Sequence, residues 1–142
     1  MIVKHLAIRR TTEGNDQILD LTAAVQGAVA DSGVATGQAS LLVQGSTAAL
    51  TTLEYEPGLV GNDVARALER LAPRDGRYLH EETWHDDNGH SHIRASVIGP
   101  SLALPIAGGR VPLGTWQQIV LVDSDTRPRD RTIHLTIVGA AG

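Results

Sequence analysis

Four apolar segments follow one another in the second half of the chain, separated by breaks rich in Gly and Pro. They are Ile93 to Ile98, Leu102 to Ile106, Gln117 to Val122 and Ile133 to Val138. The breaks hold Gly99-Pro100, Ala107-Gly108-Gly109, Gly114 and Arg127-Pro128. Runs rich in Val, Ile and Leu, bounded in this way, read as strands. Strands joined by short turns pair antiparallel, because a parallel pair needs a long crossover. The chain is therefore expected to build antiparallel sheets rather than an alternating parallel fold.

The first half mixes strands with two helices. Ile2 to Arg9, Ser40 to Gln44 and Ala48 to Tyr55 read as strands, the last stopped by Glu56-Pro57-Gly58. Asn15 or Asp16 is a candidate cap for a helix over Ile18 to Asp31, where Ile18, Leu21, Val25 and Val29 recur at helical spacing. Gly33 is its expected stop. Asn62 or Asp63 opens a second helix through Leu71, with Val64, Leu68 and Leu71 on one face and Pro73 beyond. The expectation is one α+β domain over residues 1–142.

Composition narrows function. The chain has no Cys and no Phe, two Trp and two Tyr. Disulfides, thiolate metal sites and cysteine nucleophiles are excluded. A net charge of −4 argues against a broad grip on nucleic acid or an anionic membrane surface. Scarce aromatics argue against a base-stacking platform. No apolar run is long enough for a membrane span. The expected location is the cytoplasm.

The densest polar stretch is Tyr78 to His92, YLHEETWHDDNGHSH, which holds four of the six histidines. If His90 and His92 begin the strand toward Ile98, residues two apart share a face. With His80 as third donor, and His85 in reserve, they would form an open three-nitrogen site of the kind catalytic zinc uses. Asp86 and Asp87 would orient the imidazoles. The alternative is a hydrophilic hairpin loop. In the stretch Gly45 to Gly58, Ser46 and Thr47 offer hydroxyls and amides to an anion, and Glu54 is the lone acid of a neutral run. Glu54 reads either as a general base or as a strand-end surface acid. Arg110 follows two glycines and can grip a phosphate or carboxylate. Trp116 reads as a core plug. Arg127, Arg129 and Arg131 cluster before the last strand, suited to a phosphate or an interface carboxylate. His5 and His134 read as structural or surface residues.

Three segments together, GSTAALTTLEYEPG, YLHEETWHDDNGHSHIRASVIGPSLALPI and GRVPLGTWQQIVLVDSDTRPRDR, resemble the YjbQ-like family, whose members are often labelled secondary thiamine-phosphate synthase. The resemblance runs from about Lys4 to Gly139. It implies a mainly antiparallel two-sheet β-sandwich with two helices, assembled as a homotrimer. It also implies a histidine-lined divalent metal site, with zinc the expected ion, at or near the subunit interfaces. The family's Tyr-x-His matches Tyr78-Leu79-His80, and its Ser-His-Ile matches Ser91-His92-Ile93. Relatives often carry His where this chain has Gly45, so His90 is expected to compensate as a ligand beside His80 and His92. The implied reaction joins hydroxymethylpyrimidine diphosphate to thiazole phosphate and releases diphosphate. Glu54 and Arg110 would then be catalytic, and Ser46, Thr47 and Arg129 would hold the phosphorylated substrate. A zinc-dependent hydrolase, or a trimeric binding protein without turnover, are the alternatives.

Overall fold

The computed structural model describes all 142 residues. Seven strands form two antiparallel sheets. The first sheet holds β1 (Ile2–Thr12), β7 (Arg129–Ala141), β3 (Val34–Val43) and β5 (Ser101–Ala107), in that order. The second holds β2 (Gln17–Asp20), β6 (Gln118–Asp123) and β4 (Ala48–Leu53). Four α-helices accompany them: α1 (Thr22–Ser32), α2 (Val64–Leu71), α3 (His80–Trp84) and α4 (Gly89–Ile98). A π-helical turn, Leu59–Asp63, leads into α2.

The two sheets share one apolar core. Ile8, Leu41, Val43, Ile106, Ile133, Leu135 and Ile137 meet Ala48, Leu50, Ile119 and Leu121 from the second sheet, together with Val25 and Val29 of α1. The strict alternation along β7 pins its register, since a one-residue slip would turn Ile133, Leu135 and Ile137 to solvent. Leu135 pairs with Leu6 on one side and Leu41 on the other. β6 is apolar on both faces. Its Val120 and Val122 meet Ile18 and Leu68 beneath α2, a second, smaller cluster. Pro105 is tolerated because β5 is an edge strand, paired only with β3.

The structure has four helices where the sequence reading expected two, and three particular assignments need correction. First, Ile18 belongs to β2, paired with Val122, and the helix begins at Thr22. The Asp20 carboxylate accepts the Thr22 N–H at 2.9 Å, which favours a start there. Leu21, Val25 and Val29 do share the buried face; Ile18 matched their spacing by coincidence. Second, Ile93 to Ile98 is helical, not a strand. In α4 the polar His90, Ser91 and Arg94 are buried while Ile93 and Val97 are exposed. That inverted pattern hides the helical period. Third, Trp116 is 70% exposed and plugs no core.

Topology places three sheet-to-sheet crossings at one end of the molecule. The β1–β2 turn, the β3–β4 loop and the β6–β7 loop all lie there. Thr12 pairs with Arg129, Gln17 with Asp123, and Ala48 with Asp123. The Ser124 N–H donates to the Thr47 carbonyl at 3.0 Å.

A candidate site at the sheet crossings

The β3–β4 loop brings Gly45, Ser46 and Thr47 against the loop that follows β6. Asp123 and Asp125 are fully buried there, each held by an arginine of β7. Arg131 donates Nε to Asp123 Oδ2 at 2.6 Å and Nη2 to Asp123 Oδ1 at 3.0 Å. Its Nη2 also reaches Thr47 Oγ1 at 2.7 Å. Thr12 Oγ1 donates to Asp123 Oδ2 at 2.6 Å. Arg131 is thus spent on structure. Gly45, at φ +124°, is required here: a Cβ would stand 2.5 Å from Arg131 Nη1.

Asp125 accepts from Thr47 Oγ1 (2.8 Å), the Thr126 N–H (2.7 Å) and Arg129 Nε (3.0 Å). Burial pushes this carboxyl up, but those hydrogen bonds and the Arg129 charge outweigh it and hold it below the usual carboxylate range. Arg129 differs from Arg131. Its side chain is 43% exposed, and only its Nε is engaged within the chain. Its two Nη groups are free for a ligand.

Helices α3 and α4 cover the same end. His80 and His92 approach with ring centroids 4.4 Å apart and planes at 56°. His80 Nε2 faces Asp86 Oδ1 at 3.2 Å. With its nitrogen turned inward, the Asn88 amide donates to Asp86 at 2.9 Å and to His80 Nε2 at 3.1 Å. Burial, then the neighbouring His80, lowers the pKa of His92; Asp125 and the Ser46 backbone oppose this only in part. His92 is therefore a neutral imidazole at pH 7. One turn further along α4, Ala95 and Ser96 line a groove of about 350 Å³ with Gly45, Ser46, Ala48 and Pro100.

The structure thus joins some of the expected site residues and separates others. His80, His92, Ser46, Thr47 and Arg129 converge. Asp86 acts on His80 through the bridging Asn88 amide, whereas Asp87 pairs with Thr126 and Arg127. His90 does not join them. Residues two apart on a helix point about 200° apart, so His90 faces Tyr78 while His92 faces His80. Glu54 follows β4 at its far end, where Leu53 pairs with Gln118. Seven residues of extended chain, about 23 Å, separate it from Thr47. Arg110 bridges to Ala107, beside the Thr36 end of β3 and away from Gly45. Neither Glu54 nor Arg110 reaches this site within one chain. Asn88, Asp123 and Asp125 are the residues the sequence reading missed, and Arg131, expected to hold a phosphate or an interface carboxylate, instead holds Asp123 inside the chain. The Asp-x-Asp before the arginine cluster was their one visible signal.

No group of three or more His, Asp or Glu side chains converges in a way that could hold a metal ion. The intended trio fails because the helical twist of α4 takes His90 away. One chain's donors do not fit a three-histidine zinc centre, and no chemical step is derived through one.

The comparisons agree with this architecture. The profile described as UPF0047 protein YjbQ-like matches residues 6–140. A UPF0047 protein from Methanothermobacter thermautotrophicus is 34% identical over 123 residues, covering 87% of this chain and 83% of the relative. The UPF0047 protein YjbQ of Escherichia coli O157:H7 is 38% identical over 103 residues, covering 72% and 74%. Among solved structures, a hypothetical protein from Aeropyrum pernix superposes with a TM-score of 0.88 at 33% identity, covering 96% of this chain and 99% of that one. A protein of unknown function from Sulfolobus solfataricus gives 0.86 at 28%, covering 97% and 99%. The chain belongs to the UPF0047, YjbQ-like family. No helix is long and apolar enough to cross a membrane.

Proposed function

We propose that the chain is an enzyme that acts on a small phosphorylated metabolite at the sheet-crossing end, in a reaction of the thiamine-phosphate synthase type. One observation carries this reading: Arg129 presents two free Nη groups while held by Asp125, the same carboxylate whose charge acts on His92 of the contacting His80–His92 pair. A half-exposed guanidinium suits a phosphate oxygen pair. When hydroxymethylpyrimidine diphosphate meets thiazole phosphate, the thiazole nitrogen bonds to the pyrimidine methylene. The methylene–oxygen bond breaks, and its electrons leave with diphosphate. Arg129 would balance that growing negative charge, and an imidazole N–H would donate to the departing oxygen. Ser46 would contribute its hydroxyl. Thr47 would act through Asp125, by keeping Arg129 aimed.

The test is thiamine phosphate formation from the two substrates. Turnover that falls about a hundredfold in Arg129→Ala, as when one oxyanion donor is removed, and likewise in His92→Ala, supports the reading. Absence of turnover in the wild type overturns it.

The homotrimer belongs to the same proposal. Ile93 and Val97 stand exposed on one face of α4 and suit burial against another copy. Glu54 and Arg110 would take part only if a neighbouring copy carried them to this site. Light scattering reads the assembly. A divalent metal is a separate proposal, read by elemental analysis of chelator-free protein beside His80→Ala and His92→Ala. Near-stoichiometric zinc lost in both variants would support it and would favour the zinc-hydrolase alternative.

A further inference from the structure

A second polar cavity, of about 290 Å³, opens on the other side of α4. It lies between the β1–β2 turn, the α2 segment and α4, and it does not include His80, His92 or Arg129. Its charged lining is three guanidiniums, Arg66, Arg74 and Arg94, against two carboxylates, Asp16 and Glu69.

These groups are not equivalent. Arg94 is buried and saturated: Nη1 donates to Asp16 at 2.5 Å, Nη2 to Glu69 at 2.5 Å, and Nε to the Ala72 carbonyl at 3.1 Å. It bonds both acids, offsets one of their two charges and offers nothing further. Arg66 makes no side-chain hydrogen bond or ion pair, and Arg74 reaches only the Asn15 amide with its side chain. Neither exposed guanidinium is held in an ion pair, and three cations against two acids leave the lining with one excess positive charge.

His90 forms part of the lining and is 2% exposed. Its Nε2 has only the Ser91 hydroxyl, at 3.5 Å, the outer limit of a hydrogen bond. Its Nδ1 has no partner in the chain. No buried side-chain nitrogen or oxygen in the molecule is both sealed and unpaired, so Nδ1 opens into the cavity. An unpartnered ring nitrogen of a buried histidine, open to a cavity with two unpaired guanidiniums and one excess positive charge, is an arrangement that suits an oxyanion.

We infer that this cavity binds a small oxyanion-bearing metabolite, with Arg66 and Arg74 gripping the anionic group and His90 hydrogen-bonding the part that enters. The charged end is a phosphate ester or a carboxylate. The inference does not depend on the reading of the His80–His92 site, because the two cavities share no residue.

The test is a titration followed by two-dimensional NMR of backbone amides and histidine ring nitrogens, with inorganic phosphate in one arm and acetate in the other, at constant ionic strength. Saturable shifts at His90, Arg66 and Arg74 are expected. The apparent Kd should weaken by about tenfold or more in the Arg66→Ala/Arg74→Ala double variant and in His90→Gln, and stay unchanged in Arg129→Ala. Tighter binding of phosphate identifies the ester class, and tighter binding of acetate the carboxylate class. Linear, unsaturable shifts, or equal affinity in the double variant, would overturn the inference.

Discussion

Replacing Arg131 with Met should be among the most damaging single changes in this protein, although Arg131 need touch no substrate. The side chain is 7% exposed and its partner Asp123 is fully buried. The substitution removes two charge-assisted bonds to Asp123, at 2.6 and 3.0 Å, and one to Thr47 at 2.7 Å. Asp123 keeps only the Thr12 hydroxyl and the Asp125 N–H. A carboxylate sealed in the fold without its counter-ion costs about 3–5 kcal/mol. Replacing both partners by apolar groups of similar volume is often nearly neutral. Urea denaturation at fixed protein concentration should therefore place Arg131→Met about 3–5 kcal/mol below wild type. The Asp123→Leu/Arg131→Met pair should recover most of that loss. A single-variant cost under about 1 kcal/mol, the value of a surface pair, would refute the reasoning. So would a double variant whose loss equals the sum of the two single losses.

Three further outcomes follow from the packing and the titrating groups. Leu68→Ala should cost about 2–3 kcal/mol, the lower part of the core range, because its cluster beneath α2 is small and free to collapse; Leu121→Ala, in the central core, should cost clearly more by calorimetry. Burial and then Arg94 lower the pKa of His90, and burial and then His80 lower that of His92; their contribution to stability is therefore complete above about pH 6.5 and is lost as pH falls through the lower folded values. Urea midpoints should fall between pH 7.5 and 5.5, and His90→Gln should flatten that fall, while Asp125 adds a second loss only below its usual value of 3.8. Gly139→Ala should destabilise strongly, since a Cβ there would collide with the Thr36 carbonyl and lie 2.8 Å from the Gly37 Cα on β3; unchanged thermal unfolding would contradict the close strand approach.

The sheet class was legible in the sequence because β6 and β7 carry clean apolar patterns. The ends of β3 and β7 were not, because Val34–Ala39 and Arg129–Arg131 hold Gly, Thr and Arg that pack only through their strand neighbours. α4 was illegible for a definite reason. Its buried face is His90, Ser91, Arg94 and Ala95, and the Arg94 bonds that justify that burial come from residues 22 to 78 positions away in the chain. The same misreading placed His90 beside His92, since a two-residue spacing shares a face on a strand but not on a helix. His80 and His92 could be named from their motifs. Asp125, which aims Arg129, could be placed only once the β3–β4 and β6–β7 loops were known to meet.

Calorimetric titration with inorganic diphosphate tests most directly whether the sheet-crossing end receives phosphorylated ligands. The account predicts a saturable heat in wild type that is retained in the Arg66→Ala/Arg74→Ala double variant and lost from that background when Arg129→Ala is added. No saturable heat in wild type, or a triple variant that binds diphosphate as the double variant does, would contradict it.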